Sequence, residues 1–526
     1  MKRTISPLGL LFTSISAIIG SGWLFSSFYS AQIAGPAALI SWLISGVIIT
    51  IVAFTFAEIC ALLPITGSST RIPHLTHGTT TSFVFAWIIW VSYMALAPTE
   101  VQAVLQYLSF YFPNLTEING KLTNDGYITA ALLMLAISTI NIYSLKWLIK
   151  ANTLLTLLKI IIPIFISIII LINLFTPAQL IHPANSSFMP FGWQGVLAAI
   201  SGGGIVFAFN GFKQAAEMAG EAENPKFALP LAIIGSIFIC LIIFLLLQSA
   251  FLVSLKPQNL TNSWHNIILS QKGISPFASI IYEYKFSWLF PILYFAAIIA
   301  PMAAGMMYCS SSARSLYGIS KNGYLPNIFT KLNAKGNPFY AIIFNFFFGM
   351  LMFAPLPGWS AMVDFLTSLI AITYSVGPIA LLTLREQLPH KRVFNLPFAK
   401  VWATTAFYIC TLLTYWSGWR IIFKLDIALL FGCSTLVIYY LINKNKQHIN
   451  LHWSSSIWLW FFFVGISILS YLGSFGGGRN IIPFGWDFLV IAIFSVFTVN
   501  LATKFKLTSY QTQQYLDEIK SEIKES

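Results

Sequence analysis

Long runs of apolar residues recur along the whole chain and are separated by short polar segments. A bilayer core of about 30 Å needs about 20 apolar residues for each helix that crosses it. The pattern therefore predicts an all-α polytopic membrane protein. It predicts about fourteen spanning helices, with approximate limits 8–33, 37–62, 82–110, 126–145, 152–174, 192–217, 228–253, 276–312, 338–354, 360–384, 400–418, 425–442, 455–473 and 485–503.

Composition supports this interpretation. Of the 526 residues 57% are hydrophobic and 9% are charged, whereas soluble domains carry about 25% charged residues. The five cysteines are scattered through apolar segments with no metal-site spacing. Because their number is odd, we expect packing residues instead of a disulfide framework. No cleavable signal is expected, since Met1-Lys2-Arg3 leads into a run too long for a signal peptide.

Positive charge is divided unevenly between the two sides of the predicted bundle. An even number of spans places both termini on one side, which then carries 20 Lys and Arg residues against seven on the other. Such an excess marks the cytoplasmic side. Both termini, with the polar tail 504–526, are therefore predicted to be cytoplasmic. The net charge of +13 is spread over short loops, so no nucleic-acid surface is expected.

Two predicted spans contain glycines near their centres, GSG at 20–22 and GGG at 202–204, the second followed by NG at 210–211. Glycine costs roughly 1 kcal/mol relative to alanine inside a helix. One explanation is that the small residues only permit close helix packing. The other is a pair of interrupted helices, one opening each half of an inverted repeat, as in transporters that bind substrate and ions at mid-membrane.

Several segments resemble the amino acid–polyamine–organocation superfamily of permeases. They are AIIGSGWLF, AGPAALISWLISG, FAEICALLPITG, FAFNGFKQAAEMAGEAENPKFALPLAI, SSARSLYGISKNGYLPNIFTKLNAKGNP and LREQLPHKRVFNLP. GSSTRIPHLTHG and APTEVQAVLQYL are similar to the branch that includes proton-coupled aspartate and glutamate carriers. The resemblance implies a LeuT-like core of two inverted five-helix repeats, 1–190 and 191–399, with four additional helices at 400–503.

The resemblance also implies an amino acid site at the two interruptions. The residues implied are Ile18, Gly20, Ser21, Gly22, Phe207, Phe209, Asn210 and Gly211. The N–H groups of residues 20–22 and the Ser21 hydroxyl would bind the α-carboxylate. The carbonyl groups of Ile18, Phe207 and Asn210 would bind the α-ammonium. Phe209 would cover the substrate from the outside.

Lys159 lies in the fifth span, where a charge at the bilayer centre costs about 2.5–3.5 kcal/mol. In proton-driven relatives a lysine of the fifth helix occupies the position of a sodium ion. The resemblance therefore implies a proton-coupling lysine, with Ser310 and Ser311 as oxygen partners. The alternative is a side chain that extends to the cytoplasmic interface.

Four other residues are candidates for specificity or gating. Lys213 stands where many family members have an acidic residue, and it is predicted either to bind an acidic substrate side chain or to pair with Glu217. Glu100 is expected to face the outer vestibule or the outer interface. Glu58 is predicted to pair with a loop arginine, and Arg71 to form the inner gate with Arg314 and the loop that follows it.

Three remaining polar residues have several interpretations. Asp364 opens the tenth span as a cap or a titrating site. His74 and His77 share a polar inner loop and lack Cys or acidic companions, so no metal site is expected.

The sequence thus predicts a secondary active amino acid transporter of the plasma (bacterial inner) membrane, with a proton as coupling ion. Acidic amino acids are favoured as substrates, while apolar or small ones stay open. An exchanger is the closest alternative, and a ligand-binding channel or sensor is the next. No phosphate-binding loop or nucleophile–base set points to an enzyme, and no cofactor is expected.

Overall fold

The computed structural model describes residues 5–65, 67–117, 119–143, 145–177, 187–260, 263–269, 275–389, 394–443 and 452–525. Several lysines and arginines that entered the charge comparison, among them Lys2, Arg3 and Lys444, lie outside them. Within these ranges the chain forms helices and isolated β-bridges but no strands. The helices are α1 Pro7–Ile18, α2 Gly22–Ala34, α3 Ala38–Leu62, α4 Ser68–His77, α5 Thr79–Leu108, α6 Asn124–Tyr143, α7 Leu145–Leu174, α8 Gly192–Gly202, α9 Ile205–Phe209, α10 Lys213–Glu217, α11 Pro225–Val253, α12 Pro276–Glu283, α13 Phe290–Lys321, α14 Phe339–Met352, α15 Gly358–Tyr374, α16 Val376–Gln387, α17 Ala399–Trp416, α18 Trp419–Asn443, α19 Ile457–Leu472, α20 Trp486–Lys504 and α21 Ser509–Glu525.

Ten helical segments of the described chain are long and apolar enough to cross a membrane, or eleven if the bent pair α8 and α9–α10 is one span. One of these segments, Gly22–Leu62, contains 41 residues. It joins α2, the second half of the predicted span 8–33, to α3, the predicted span 37–62, and the two helices pack on each other. The prediction of an all-α multi-pass membrane protein is confirmed. The count of fourteen spans stays a prediction.

Both glycine-containing spans are interrupted. Residues 19–21 separate α1 from α2. At the second interruption α8 ends at Gly202, and the chain axis bends by 46°. Gly204 adopts a φ of +76° there, a conformation that glycine accepts without steric cost. Residues 205–209 then form one helical turn, followed by a 3-10 turn at Asn210–Phe212, so the predicted unwound stretch 202–211 is shorter than expected.

The two interruptions contact each other. A Cβ atom on Gly211 would lie 2.2 Å from the backbone nitrogen of Ile18. A Cβ atom on Gly22 would lie 3.1 Å from the Cβ atom of Ala208. Only small residues allow helices to approach this closely. Close packing and helix interruption therefore occur together, and the two explanations of the glycines do not exclude each other.

The predicted span 276–312 is divided in the structure. α12 ends at Glu283, the chain turns through Lys285 with a φ of +57°, and α13 begins with Pro291 in its first turn. A proline is well accommodated at a helix start because its missing N–H has no partner there. Residues 284–289 therefore connect the two helices. The sequence pattern did not indicate this break, because the segment as a whole is apolar.

The predicted polar loop with His74 and His77 is the helix α4, and the polar tail contains the helix α21. These two helices pack on each other at one end of the bundle. We call this end the C-terminal face. The loops around Gly120 and Ser275 lie at the other end, which we call the opposite face, where they contact the end of α5.

Candidate functional site

The first interruption binds a carboxylate group. The Ser21 N–H donates a hydrogen bond of 2.7 Å to Oε2 of Glu100, which lies on α5 and is 1% exposed. A Cβ atom on Gly20 would lie 2.5 Å from Oε1 of the same carboxylate, so the glycine gives it room. Glu100 therefore faces the interruption and does not reach the outer interface, which corrects that expectation. A place in an outer vestibule stays a prediction.

A tryptophan contacts the same residue. The Trp359 indole, on α15, donates from Nε1 to the Ser21 hydroxyl oxygen over 2.8 Å. Sequence reasoning missed Trp359 because tryptophan near the end of a span is usual at membrane interfaces. The only available signal was its place directly after Pro357-Gly358, at the start of an apolar run.

Lys159 is buried beside the first interruption. Its ammonium group donates to the carbonyl oxygen of Ser16 over 2.8 Å and to the Ser16 hydroxyl over 3.2 Å. The side chain is 2% exposed, so it does not extend to the interface. The predicted partners Ser310 and Ser311 do not supply these bonds, and Ser311 instead exchanges hydrogen bonds with Gln214. The oxygen partners come from α1.

Lys159 and Glu100 thus both lie beside the first interruption, and they attract each other when both are ionised. A buried charge is costly unless it is paired and hydrogen-bonded. Here the ammonium group has two Ser16 oxygens and the carboxylate has the Ser21 N–H. The arrangement is a buried polar cluster around the Ser16 carbonyl and the Ser21 N–H, at the end of α1 and the start of α2.

Lys213 lies at the second interruption and is 2% exposed. Its ammonium donates to the Thr373 hydroxyl over 2.8 Å and lies 5.6 Å from the ring centre of Tyr374. The Glu217 carboxylate accepts from the Tyr93 hydroxyl over 3.2 Å. Among the described residues Lys213 and Glu217 form no ion pair within 4.0 Å, so the predicted direct pair is replaced by these separate bonds.

Phe209 does not cover the interruption. Its ring is fully buried and packs edge-on against Trp42 and Phe244, at 5.8 and 5.5 Å between ring centres. Phe207 lies closer to the first interruption, because its ring is 3.7 Å from a Cβ atom on Gly22 and 5.6 Å from the ring of Trp359. The helical turn at 205–209 directs the side chains of the two phenylalanines to different sides. In an extended chain, residues two positions apart would point to the same side.

Two of the carbonyl groups implied for the α-ammonium are partly used. The carbonyl of Ile18 accepts from the Gly20 N–H, and that of Phe207 accepts from the Asn210 N–H. A carbonyl oxygen has a second lone pair and can accept one more hydrogen bond. Within the described chain Nδ2 of Asn210 is buried without a hydrogen-bond partner. Carbonyl oxygens and a side-chain amide at the contact between the interruptions can therefore still form further hydrogen bonds.

The gating candidates lie elsewhere. Glu58 is fully buried and accepts two hydrogen bonds from Arg385, of 2.9 and 2.7 Å. Its pairing with an arginine is confirmed, but that arginine lies in the last turn of α16 and not in a loop. Asp364 lies in the second turn of α15, whose N-cap is Pro357, so it is not a cap. Arg71 lies on α4, and Arg314 is exposed on α13. Their part in a gate stays a prediction.

Comparison with known proteins shows the family to which this chain belongs. A family model described as amino acid permease matches residues 5–419. The glutamate/serine transporter AimA of Bacillus subtilis is 32% identical over 99% of this chain and 97% of its own length. The aspartate-proton symporter of the same organism is 32% identical over 94% of this chain and 95% of its length. The branched-chain amino acid permease BcaP, also of Bacillus subtilis, is 25% identical over 86% of this chain. The resemblance found in the sequence is thereby confirmed, and the chain belongs to the amino acid permease family.

Proposed function

We propose that this permease is a proton-coupled amino acid symporter that works by alternating access in the plasma (bacterial inner) membrane. The observation that carries the proposal is the hydrogen bond from the freed Ser21 N–H to the buried Glu100 carboxylate. Backbone that binds one carboxylate can bind the α-carboxylate of an amino acid. The C-terminal face is then cytoplasmic, and residues 1–190 and 191–399 are the two inverted repeats.

Competition for the Ser21 N–H couples proton and substrate. A substrate carboxylate and an ionised Glu100 repel each other and need the same donor. Protonation of Glu100 removes its charge and weakens its hydrogen bond with the Ser21 N–H, because charge-assisted hydrogen bonds are roughly twice as strong as neutral ones. The substrate carboxylate then replaces Glu100 as the counter-ion of Lys159. One proton and one amino acid bind together, and the net charge of the site is conserved when the amino acid is acidic, because its net charge of −1 offsets the proton.

Acidic amino acids are the proposed substrate class. Lys213 places a buried cation at the second interruption, and its hydrogen bond to the neutral Thr373 hydroxyl leaves its charge without a direct carboxylate contact. A substrate side-chain carboxylate would provide that contact. The names of two relatives, a glutamate/serine transporter and an aspartate-proton symporter, support the same substrate class.

Uptake into proteoliposomes tests symport directly. Purified protein is reconstituted without internal amino acid, an inside-alkaline pH gradient is imposed, and uptake of labelled L-glutamate, L-aspartate and L-serine is measured. We expect accumulation above the external concentration, abolished by a protonophore. Uptake that requires preloaded amino acid would instead identify an exchanger.

Lys159→Ala tests the coupling step. We expect the variant to lose accumulation driven by the pH gradient, because Glu100 then has no buried counter-ion that the substrate can take over. Lys335→Ala is the control, since that lysine is exposed in a loop and donates to the carbonyl of Tyr143, the last residue of α6. A Lys159→Ala protein that still accumulates substrate along the gradient contradicts the coupling role.

Lys213→Gln tests the substrate class. Glutamine can still donate to Thr373 but has no charge, so we expect the KM for glutamate and aspartate to rise about tenfold or more relative to serine. This corresponds to the loss of a charged hydrogen bond worth about 1.5–3 kcal/mol. Initial rates of uptake for the three amino acids provide the measurement. An unchanged ranking would show that Lys213 serves packing alone.

A further inference from the structure

Trp359 lies between the two interruptions and contacts both of them. Its indole N–H bonds the Ser21 hydroxyl at the first interruption. At the second, a Cβ atom on Gly204 would lie 2.9 Å from the far carbon of its six-membered ring. The Phe207 ring packs edge-on against it. The same side chain therefore determines how closely both unwound segments approach α15.

The orientation of the Trp359 ring does not depend on its indole N–H. The backbone N–H of Trp359 donates to the Gln106 side chain over 3.0 Å. Its ring stacks on those of Phe25 and Tyr29 at 4.9 and 5.6 Å. The side chain is 1% exposed. The backbone hydrogen bond and these two rings of α2 hold the indole, so it can direct its N–H group without further support.

The chemistry of the bond has a direction. An indole N–H can only donate, whereas a serine hydroxyl has one hydrogen to donate and two lone pairs that accept. Because Trp359 occupies an acceptor position of Ser21, the hydroxyl hydrogen is left for another acceptor. The neighbouring group of that kind is the Glu100 carboxylate, which lies beside the Ser21 side chain and accepts its backbone N–H.

We propose that Trp359 is a positioning residue for the substrate carboxylate: its indole N–H orients the Ser21 hydroxyl so that the hydroxyl hydrogen points at the group bound by the Ser21 N–H. This inference rests on the proposed function, since it takes the substrate carboxylate to replace Glu100 there. It assigns to α15 a part in recognising the carboxylate that all amino acids share.

Trp359→Phe removes the N–H and keeps an aromatic ring against Phe25 and Tyr29. We expect the KM of the best of the three probes to rise about three- to tenfold, the effect of one lost hydrogen bond, with Vmax changed less than twofold. Discrimination between the amino acid and its α-amide, measured by competition, should fall by the same factor. An amide lacks the full charge that the oriented hydroxyl recognises.

Trp90→Phe is the matched control. Trp90 is 2% exposed and donates from Nε1 to Asn345 over 2.8 Å, between α5 and α14. The Trp90→Phe variant loses an indole hydrogen bond as Trp359→Phe does, but away from the interruptions. Its KM and amide discrimination should therefore equal those of the wild type. Adding Ser21→Ala to Trp359→Phe should cause little further loss, because both changes act through one hydroxyl.

The outcomes separate this inference from the function on which it rests. Wild-type transport with unchanged KM and amide discrimination in Trp359→Phe overturns the role of Trp359 and leaves the symporter intact. Absence of amino acid uptake by the wild type overturns the symporter itself. If Trp359→Phe does not fold, Ser21→Ala alone must show the loss of amide discrimination. Full discrimination in that variant would also overturn the inference.

Discussion

At the residue scale, the glycines of the interruptions differ in what surrounds them. A Cβ atom on Gly211 would lie 2.2 Å from the Ile18 nitrogen and 2.4 Å from the Ala17 carbonyl carbon. These are backbone atoms and cannot rotate away. A Cβ atom on Gly20 would instead meet the end of the Glu100 side chain, which can shift. The contact of α1 with the turn at Asn210–Phe212 is therefore less tolerant than the carboxylate site.

Gly211→Ala should push the two interrupted helices apart. Overpacking costs typically 1–3 kcal/mol and occasionally more, so we expect a lower unfolding temperature in detergent and a loss of uptake in proteoliposomes. Gly318→Ala is the control, because a Cβ atom on Gly318, within α13, meets no described atom within 4 Å. A Gly211→Ala protein with the stability and KM of the wild type would contradict this assignment.

At the element scale, α4 connects α3 to α5 and depends on helices that follow the core. The His77 ring contacts the Ala502 carbonyl of α20 over 3.0 Å and the Trp458 ring of α19 over 5.3 Å. Tyr515 of α21 packs on His74 at 4.4 Å. These partners lie beyond residue 419, where the family match ends. The additional segments therefore hold a connecting helix of the core in place.

The histidines make this contact sensitive to pH. Burial lowers the pKa of His77 to about 4, with the Ala502 carbonyl opposing and Lys506 assisting the shift, and burial beside His452 and Arg71 lowers the pKa of His74 to about 4. An unfolded histidine has a pKa near 6.5. Between pH 6.5 and pH 4 the unfolded state binds protons that the folded state does not, so stability falls as the pH falls.

We expect the unfolding temperature to drop between pH 7 and pH 5, by the equivalent of up to about 2 kcal/mol for each histidine. Thermal unfolding in detergent at several pH values provides the measurement. His77→Gln keeps a donor for the Ala502 carbonyl and cannot titrate, so its drop should be smaller. The exposed His265 is the control, and His265→Gln should behave like the wild type. Equal drops in His77→Gln and the wild type would refute the pH argument.

At the scale of the whole molecule, α5 is the central helix of the bundle. Every residue from Thr79 to Tyr107 is buried, and α5 packs against α13, α15 and α4. A helix without an exposed face must bring its polar groups to internal partners. Trp90 bonds α14, Tyr93 bonds Glu217 of α10, and Glu100 bonds the first interruption. The helix thereby links the first interruption to α10 and α14.

The amino-acid sequence by itself determined the class of the protein, the approximate spans and the two interruptions. The physical reason is local: about 30 Å of hydrocarbon requires long apolar runs, and consecutive glycines weaken a helix wherever it lies. The pairing of Glu58 with an arginine was predicted as well, and it agrees with the cost of burying an isolated charge.

Tertiary structure alone decided which groups meet at the interruptions. Glu100 and Trp359 contact Ser21 across 79 and 338 residues of chain, and Lys159 bonds Ser16 in place of Ser310 and Ser311. Such contacts depend on the rotation of each helix about its axis. Inside lipid an apolar average does not specify that rotation, because a side chain facing lipid and one facing the core can be equally apolar.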